Sequence, residues 1–263
     1  MFKRIMKTTI LILFLSITIH GISEEIKKIK YGKVTLEELT MTTYPKDTSA
    51  DAVILYSYGE FSPNQLKFTQ HIRIKVLRQT GKSQANMVFY GRLKNNIKGC
   101  TYNLENGKIR KSQLKKESIF EVRKYGAHYN TSIALPDVRV GSVLEIFVTQ
   151  DGVPNSFDFQ QDIPVIYTAL SFPPSVYADI ECKESKSEGF TYKDGTTWIA
   201  KELPAFKIEP YMKSENDYKV RIVFGLSSIK DEKKFKPFGE ARNDRTTWYI
   251  ENPTFSSMFV KMY

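Results

Sequence analysis

Cys100, His128 and Asp137 follow one another in the order of a thiol-nucleophile triad. In such a triad the thiolate attacks a carbonyl, the imidazole takes the proton, and the carboxylate orients the imidazole. The surroundings of Cys100 argue against that use. A nucleophilic thiol is commonly placed at a helix N-terminus, which lowers its pKa. Cys100 is instead followed by Thr-Tyr-Asn-Leu and, after Glu105, by Asn106-Gly107. That is the sequence of a strand entering a hairpin, so Cys100 reads as a packed strand cysteine. Cys182 has no histidine after it at all.

Other residues of suitable type are harder to assemble. Glycoside hydrolysis needs two carboxyl groups flanking one bond. Glu121, Glu145 and Asp158 are candidates, but no spacing selects a pair, and they read as exposed strand and loop acids. Tyr125, Tyr129 and Trp198 could stack on sugar rings, yet β proteins place aromatics in cores and on sheet surfaces anyway. His71 shares a strand face with Thr69 and Arg73, a poor place to attract a cation. No His-x-x-x-His or Cys-x-x-Cys spacing occurs, so a structural zinc site is not expected. Glycine-rich phosphate loops are absent as well, and no cofactor is expected.

The N-terminus speaks to compartment. Lys3, Arg4 and Lys7 precede an uncharged, mostly apolar run from Thr8 to Ile19, and the small residues Gly21 and Ser23 follow. This is the layout of an export signal cut after Ser23. The alternative is a membrane anchor, but the run has 12 residues, and a spanning helix needs ~20. Residues 1–23 are therefore expected to be a signal peptide, with no membrane span after its cleavage and a periplasmic or secreted product. The formal charge is +10, and losing the leader removes three cations and no acids, which leaves +7. The cations are dispersed in clusters such as Lys108, Arg110 and Lys111, which read as solvated faces. Export makes nucleic acid an unexpected partner and leaves an anionic cell-envelope surface open. In an oxidising compartment Cys100 and Cys182 could form a disulfide, with buried free thiols as the alternative.

Strand patterning dominates the elements that would position these residues. Leu66, Phe68, Gln70, Ile72, Ile74 and Val76 share one parity, and Lys67, Thr69, His71, Arg73 and Lys75 the other. Alternate side chains leave a strand on opposite faces, so this strand has one apolar and one cationic face. Tyr218, Val220, Ile222 and Phe224 repeat the device. The continuous apolar run Ala52 to Tyr58 suits a strand covered on both faces. Asn106-Gly107 reads as a hairpin turn needing positive φ. Val34 to Leu39 could be a short helix or a strand. Phe255, Phe259 and Tyr263 recur every four residues, which fits a short C-terminal helix. Many short strands and few helices predict an all-β fold, a large antiparallel β-sandwich.

Several runs, in order, resemble a bacterial exported family, domain of unknown function 3857. Its most distinctive motif is matched by Leu135-Pro136-Asp137-Val138 with Gly141-Ser142-Val143-Leu144-Glu145. Phe68 to Val76 with Gly81 is similar to its long early strand, and Tyr102 to Lys108 to its Asn-Gly hairpin. Phe159-Gln160 with Ile163-Pro164-Val165, and Leu203-Pro204-Ala205 with Glu209-Pro210-Tyr211-Met212, resemble its later segments. The matches cover most of residues 30–225. The resemblance implies a β-sandwich module that usually precedes a transglutaminase-like domain. The catalytic cysteine and histidine of that domain match no position here.

The resulting expectation is a signal peptide over residues 1–23, a β-sandwich module over 24–240, and a tail over 241–263 leading towards an absent transglutaminase-like domain. The module is expected to be non-catalytic, and to bind or position protein or glycan partners of the cell envelope. One alternative is an exported hydrolase, either cysteine peptidase-like or a glycoside hydrolase. A further alternative is a truncated gene product without independent activity.

Overall fold

A computed structural model describes residues 25–125, 128–209, 211–212 and 214–230. The expected signal peptide, the tail over 241–263 and its expected short helix lie outside the described residues.

The chain first lays down an arm, residues 25–50, which contains one short helix, α1 (Leu36–Thr40). Thr35 caps this helix: its side chain accepts from Glu38 N, and the Glu38 carboxylate accepts from Thr35 N. This reciprocal pair satisfies two of the donors that a helix start leaves open. The sequence left helix and strand open here, and the capping box decides it.

Strands follow: β1 (Ala52–Ser62), β2 (Lys67–Val76), β3 (Asn86–Tyr90), β4 (Ile97–Glu105), β5 (Lys108–Gln113), β6 (Ile119–Tyr125) and β7 (His128–Ala134). Then come β8 (Val143–Asp151), β9 (Ser156–Asp158), β10 (Val165–Ser171), β11 (Ala178–Ser185), β12 (Tyr192–Lys193), β13 (Thr197–Leu203) and β14 (Arg221–Ile229). They form three sheets: eight strands in the order β12-β13-β10-β1-β2-β8-β4-β5, three in the order β11-β14-β9, and three in the order β3-β7-β6. The fold is an all-β sandwich. Its pairings are antiparallel except for β1 with β10, which run parallel with Ile54 opposite Val165. The chain crosses from the large sheet to a small one at Pro173-Pro174 and returns at β12.

The main core lies between the large sheet and the two small ones. Phe68, Ile74, Leu144, Ile146 and Leu170 of the large sheet meet Ile119, Ile133, Phe157, Ile222 and Phe224 of the small sheets. The opposite face of the large sheet is covered as well. There Tyr56, Tyr58, Tyr167 and Ile199 pack with Ile26 and Ile29 of the arm, and Cys100, Tyr102 and Val143 pack with Tyr31, Val34 and Leu39. β1 is thus buried on both faces, as its continuous apolar run predicts. Asn106 (φ 50) and Gly107 (φ 75) form the two-residue turn between β4 and β5, with Glu105 opposite Lys108. Two positive φ values in succession are what an Asn-Gly hairpin supplies.

Candidate functional site

The arm-covered face of the large sheet holds its most concentrated chemistry. His71, Arg73 and Lys75 leave β2 on that face, and all three are buried. Strand register sets Arg73 opposite Glu145 on β8, and Glu145 opposite Cys100 on β4. Glu145 has no exposed surface. Its Oε1 accepts from Arg73 Nη2 at 2.5 Å and meets His71 Nε2 at 2.9 Å. Its Oε2 accepts from Tyr102 Oη at 2.8 Å and from Gly32 N at 2.9 Å. Burial alone would raise the pKa of Glu145. The hydrogen bonds from His71 and Arg73, the Arg73 charge and the Gly32 N–H outweigh it and hold the carboxyl at about 2.

The arm closes this cluster. Tyr31 sets its ring 5.9 Å from His71 and 6.0 Å from Phe147, and its hydroxyl 3.2 Å from Cys100 Sγ. Glu38 of α1 accepts from Arg73 Nη1 at 2.8 Å. Lys75 Nζ donates to Leu39 O at 2.7 Å and to Gly141 O at 2.6 Å, and burial lowers its pKa to about 8. The cluster therefore unites a cysteine, a histidine and a carboxylate, but as a sealed joint. Its carboxyl is ionised and surrounded by donors, so it has no proton to give at neutral pH. The cationic parity of β2, read from the sequence as one face of a strand, is an interior that grips the arm.

The distinctive run 135–145 serves the same joint. Ser142 is fully buried; its Oγ donates to Asn103 Oδ1 at 2.6 Å and accepts from Arg139 N at 2.9 Å. Asn103 Nδ2 donates to Asp137 O at 3.0 Å. Ser142 and Glu145 thus secure the two faces of one stretch of strand.

The triad residues are not brought together. Cys100 faces the arm, while Asp137 meets Asn103 and Ser112 on the other side of β4, its carboxylate accepting from Ser112 Oγ. His128 begins β7 in a different sheet, opposite Tyr125. The three candidate carboxylates lie on three sheets. Glu121 on β6 accepts from Lys94 N, Glu145 is the hub described above, and Asp158 on β9 pairs with Arg221 at 3.0 Å. The Cys100–Cys182 disulfide is not present; both thiols are free. The large sheet explains why: Cys100 lies on its arm side, and Cys182 on β11 packs against the main core, where burial pushes its thiol up to about 12. A bridge needs Cα atoms within about 7 Å, which opposite sides of a packed sheet do not offer. Trp198 is a core residue with its Nε1 on Glu184 at 2.8 Å, and Tyr129 carries the Arg92 guanidinium 4.0 Å from its ring centre.

A second region was not singled out from the sequence. The sheet β3-β7-β6 packs Met87, Phe89, Ile119 and Ile133 inward. Its outer face presents two cross-strand rows, Val88–Ser132–Phe120 and Tyr90–Asn130–Val122. Val88 is 62% exposed, Tyr90 76%, Phe120 58% and Val122 49%. An antiparallel sheet with one buried face normally turns polar residues outward. Four large apolar side chains on two adjacent rows, with the polar Ser132 and Asn130 between them, depart from that rule. Part of the signal was present in the sequence: Val88 and Tyr90 share parity in a strand whose other parity, Met87 and Phe89, is apolar as well, and Phe120 and Val122 share parity beside the charged Glu121 and Arg123.

No family model and no curated protein matches the chain. Among solved structures it is similar to a candidate protease from Parabacteroides distasonis, with a TM-score of 0.50 and 12% identity. The likeness covers 66% of this chain and 40% of that one, so the chain spans about two fifths of that protein's length. At this identity the likeness is one of fold.

Among the described residues, no group of three or more His, Cys, Asp and Glu side chains could hold a metal ion, and no helix is long and apolar enough to cross a membrane. The arrangement offers one sealed polar joint and one open apolar face.

Proposed function

We propose that this chain is a non-catalytic β-sandwich module of an exported protein, and that it binds or positions a protein or glycan partner. The outer face of β3-β7-β6 carries the reading: it exposes four large apolar side chains on one face of a three-stranded sheet. The remaining chemistry supports it. The Cys-His-carboxylate cluster around Glu145 is closed by the arm, and the triad suggested by sequence order is dispersed. The resemblance of residues 30–225 to domain of unknown function 3857 speaks for a module of the kind that usually precedes a transglutaminase-like domain. The solved neighbour fits that architecture, because this fold occupies only part of a larger chain there.

The test compares the chain from residue 24 with its Tyr90→Ser/Phe120→Ser variant. Immobilised on beads, the unaltered protein should retain a saturable envelope protein or glycan that the variant releases. Both should be inert towards casein and peptidoglycan. Turnover of either substrate that Cys100→Ala abolishes would overturn the reading in favour of a hydrolase.

A further inference from the structure

We infer that the β6 edge of the exposed sheet receives an extended, acidic segment of a partner protein, added as a fourth strand. The inference rests on the binding-module reading and names the partner chemistry.

β6 is an edge strand, with β7 as its hydrogen-bonded neighbour. Residues 120–124 of β6 are all exposed, so the strand stands clear of the body on both faces beyond the buried Ile119. An edge of this kind presents backbone N–H and C=O groups that can pair with another chain. Phe120 and Val122 share its outer face, and the exposed Lys124 follows at a bulge, where the pairing with β7 shifts between Arg123 and Tyr125. A strand laid beside β6 would bring its own residues opposite Phe120 and Val122, two positions apart, with its end at Lys124. Apolar residues fit beside Phe120 and Val122, which extend the surface of Val88 and Tyr90. A carboxylate fits beside Lys124.

Charge favours a partner over a second copy. The outer parity of the three strands includes no carboxylate, and Lys124 stands exposed at the end of the β6 edge. Glu121 leaves β6 on the other parity, where it accepts from Lys94 N. Two copies meeting at this edge would bring Lys124 and a net charge of +7 on each chain without its leader against each other. An acidic segment meets complementary charge, which speeds encounter and sets register.

Fluorescence anisotropy reads the inference with two labelled synthetic peptides of alternating valine and threonine. They differ only in carrying two glutamates or two lysines at one end of the valine face. The acidic peptide should bind about tenfold more tightly than its twin at low salt. Lys124→Glu should reverse that order, and Phe120→Ser should weaken both peptides about tenfold. Both substitutions are at exposed positions, and an unchanged unfolding curve verifies that the fold is kept. Equal binding of the twins, or binding indifferent to both substitutions, overturns the inference. So does a dimer in sedimentation that Phe120→Ser dissolves, because the occupant is then a second copy. If the peptides fail while the envelope partner is still lost from the Tyr90→Ser/Phe120→Ser variant, the binding module stands and only the acidic strand falls. If that partner is retained as well, both readings fall.

Discussion

A carboxylate with no exposed surface is tolerated only while its donors stay in place. Glu145 has four, drawn from β2, β4 and the arm. Glu145→Gln removes the charge that balances Arg73 and sets an amide N–H₂ against those donors. It should lower stability by about 3–5 kcal/mol, read as the shift of the urea midpoint. The pH dependence follows from the depressed pKa. A carboxyl that titrates near 2 when folded, and near 4.5 when unfolded, stabilises the fold fully above 4.5. That contribution, on the order of 3 kcal/mol, should fade as the pH falls from about 4.5 to about 2, and the fading should be absent from Glu145→Gln. Gly81 matters for a different reason. A Cβ there would lie 2.1 Å from Asp51 O, a backbone atom that cannot step aside. Gly81→Ala should cost about 2 kcal/mol or more by thermal or urea unfolding. The role of Glu145 was not legible in the sequence. Parity tells which face a strand residue takes, but nothing in a single strand says that an arm will cover that face.

At the scale of elements, the arm is the part that departs most from a simple sandwich. It supplies Tyr31, Gly32, Glu38 and Leu39 O to a sheet face that would otherwise expose Arg73, Lys75 and Glu145. A chain that starts at residue 51 should uncover Tyr56, Tyr58 and Tyr167 along with those charges. It is expected to bind 8-anilinonaphthalene sulfonate and to sediment as aggregates, whereas the chain from residue 24 does neither. The strands themselves were easier to read. β1, β2, β8 and β14 follow from runs of apolar residues at one parity or both, because alternation is a direct record of a half-buried strand. The Asn106-Gly107 turn followed from the φ values that it requires. The sheet β3-β7-β6 was harder. Its strands are short, β3 is apolar on both parities, and β6 turns Phe120 and Val122 outward while Glu121 takes the other parity, which blurs the alternation.

For the whole molecule, the all-β class and the sandwich were legible, and the order of strands was not. Nothing local specifies that β1 lies beside β10, since that pairing depends on how eight strands share one sheet. The same sheet keeps Cys100 and Cys182 apart. Unreduced protein, denatured and then alkylated, should therefore gain two alkyl groups by mass spectrometry, where a bridged protein would gain none. The placement of the arm also sets a timetable. Lys27 N donates to the Tyr167 hydroxyl across 140 residues, and Gly32 N donates to Glu145 across 113. Each contact closes a long loop, which places this chain among topologies that fold in milliseconds to seconds rather than microseconds. The arm is synthesised before the strands it covers. It has no seat until β8 and β10 have joined the sheet, so residues made before the sheet are among the last to settle.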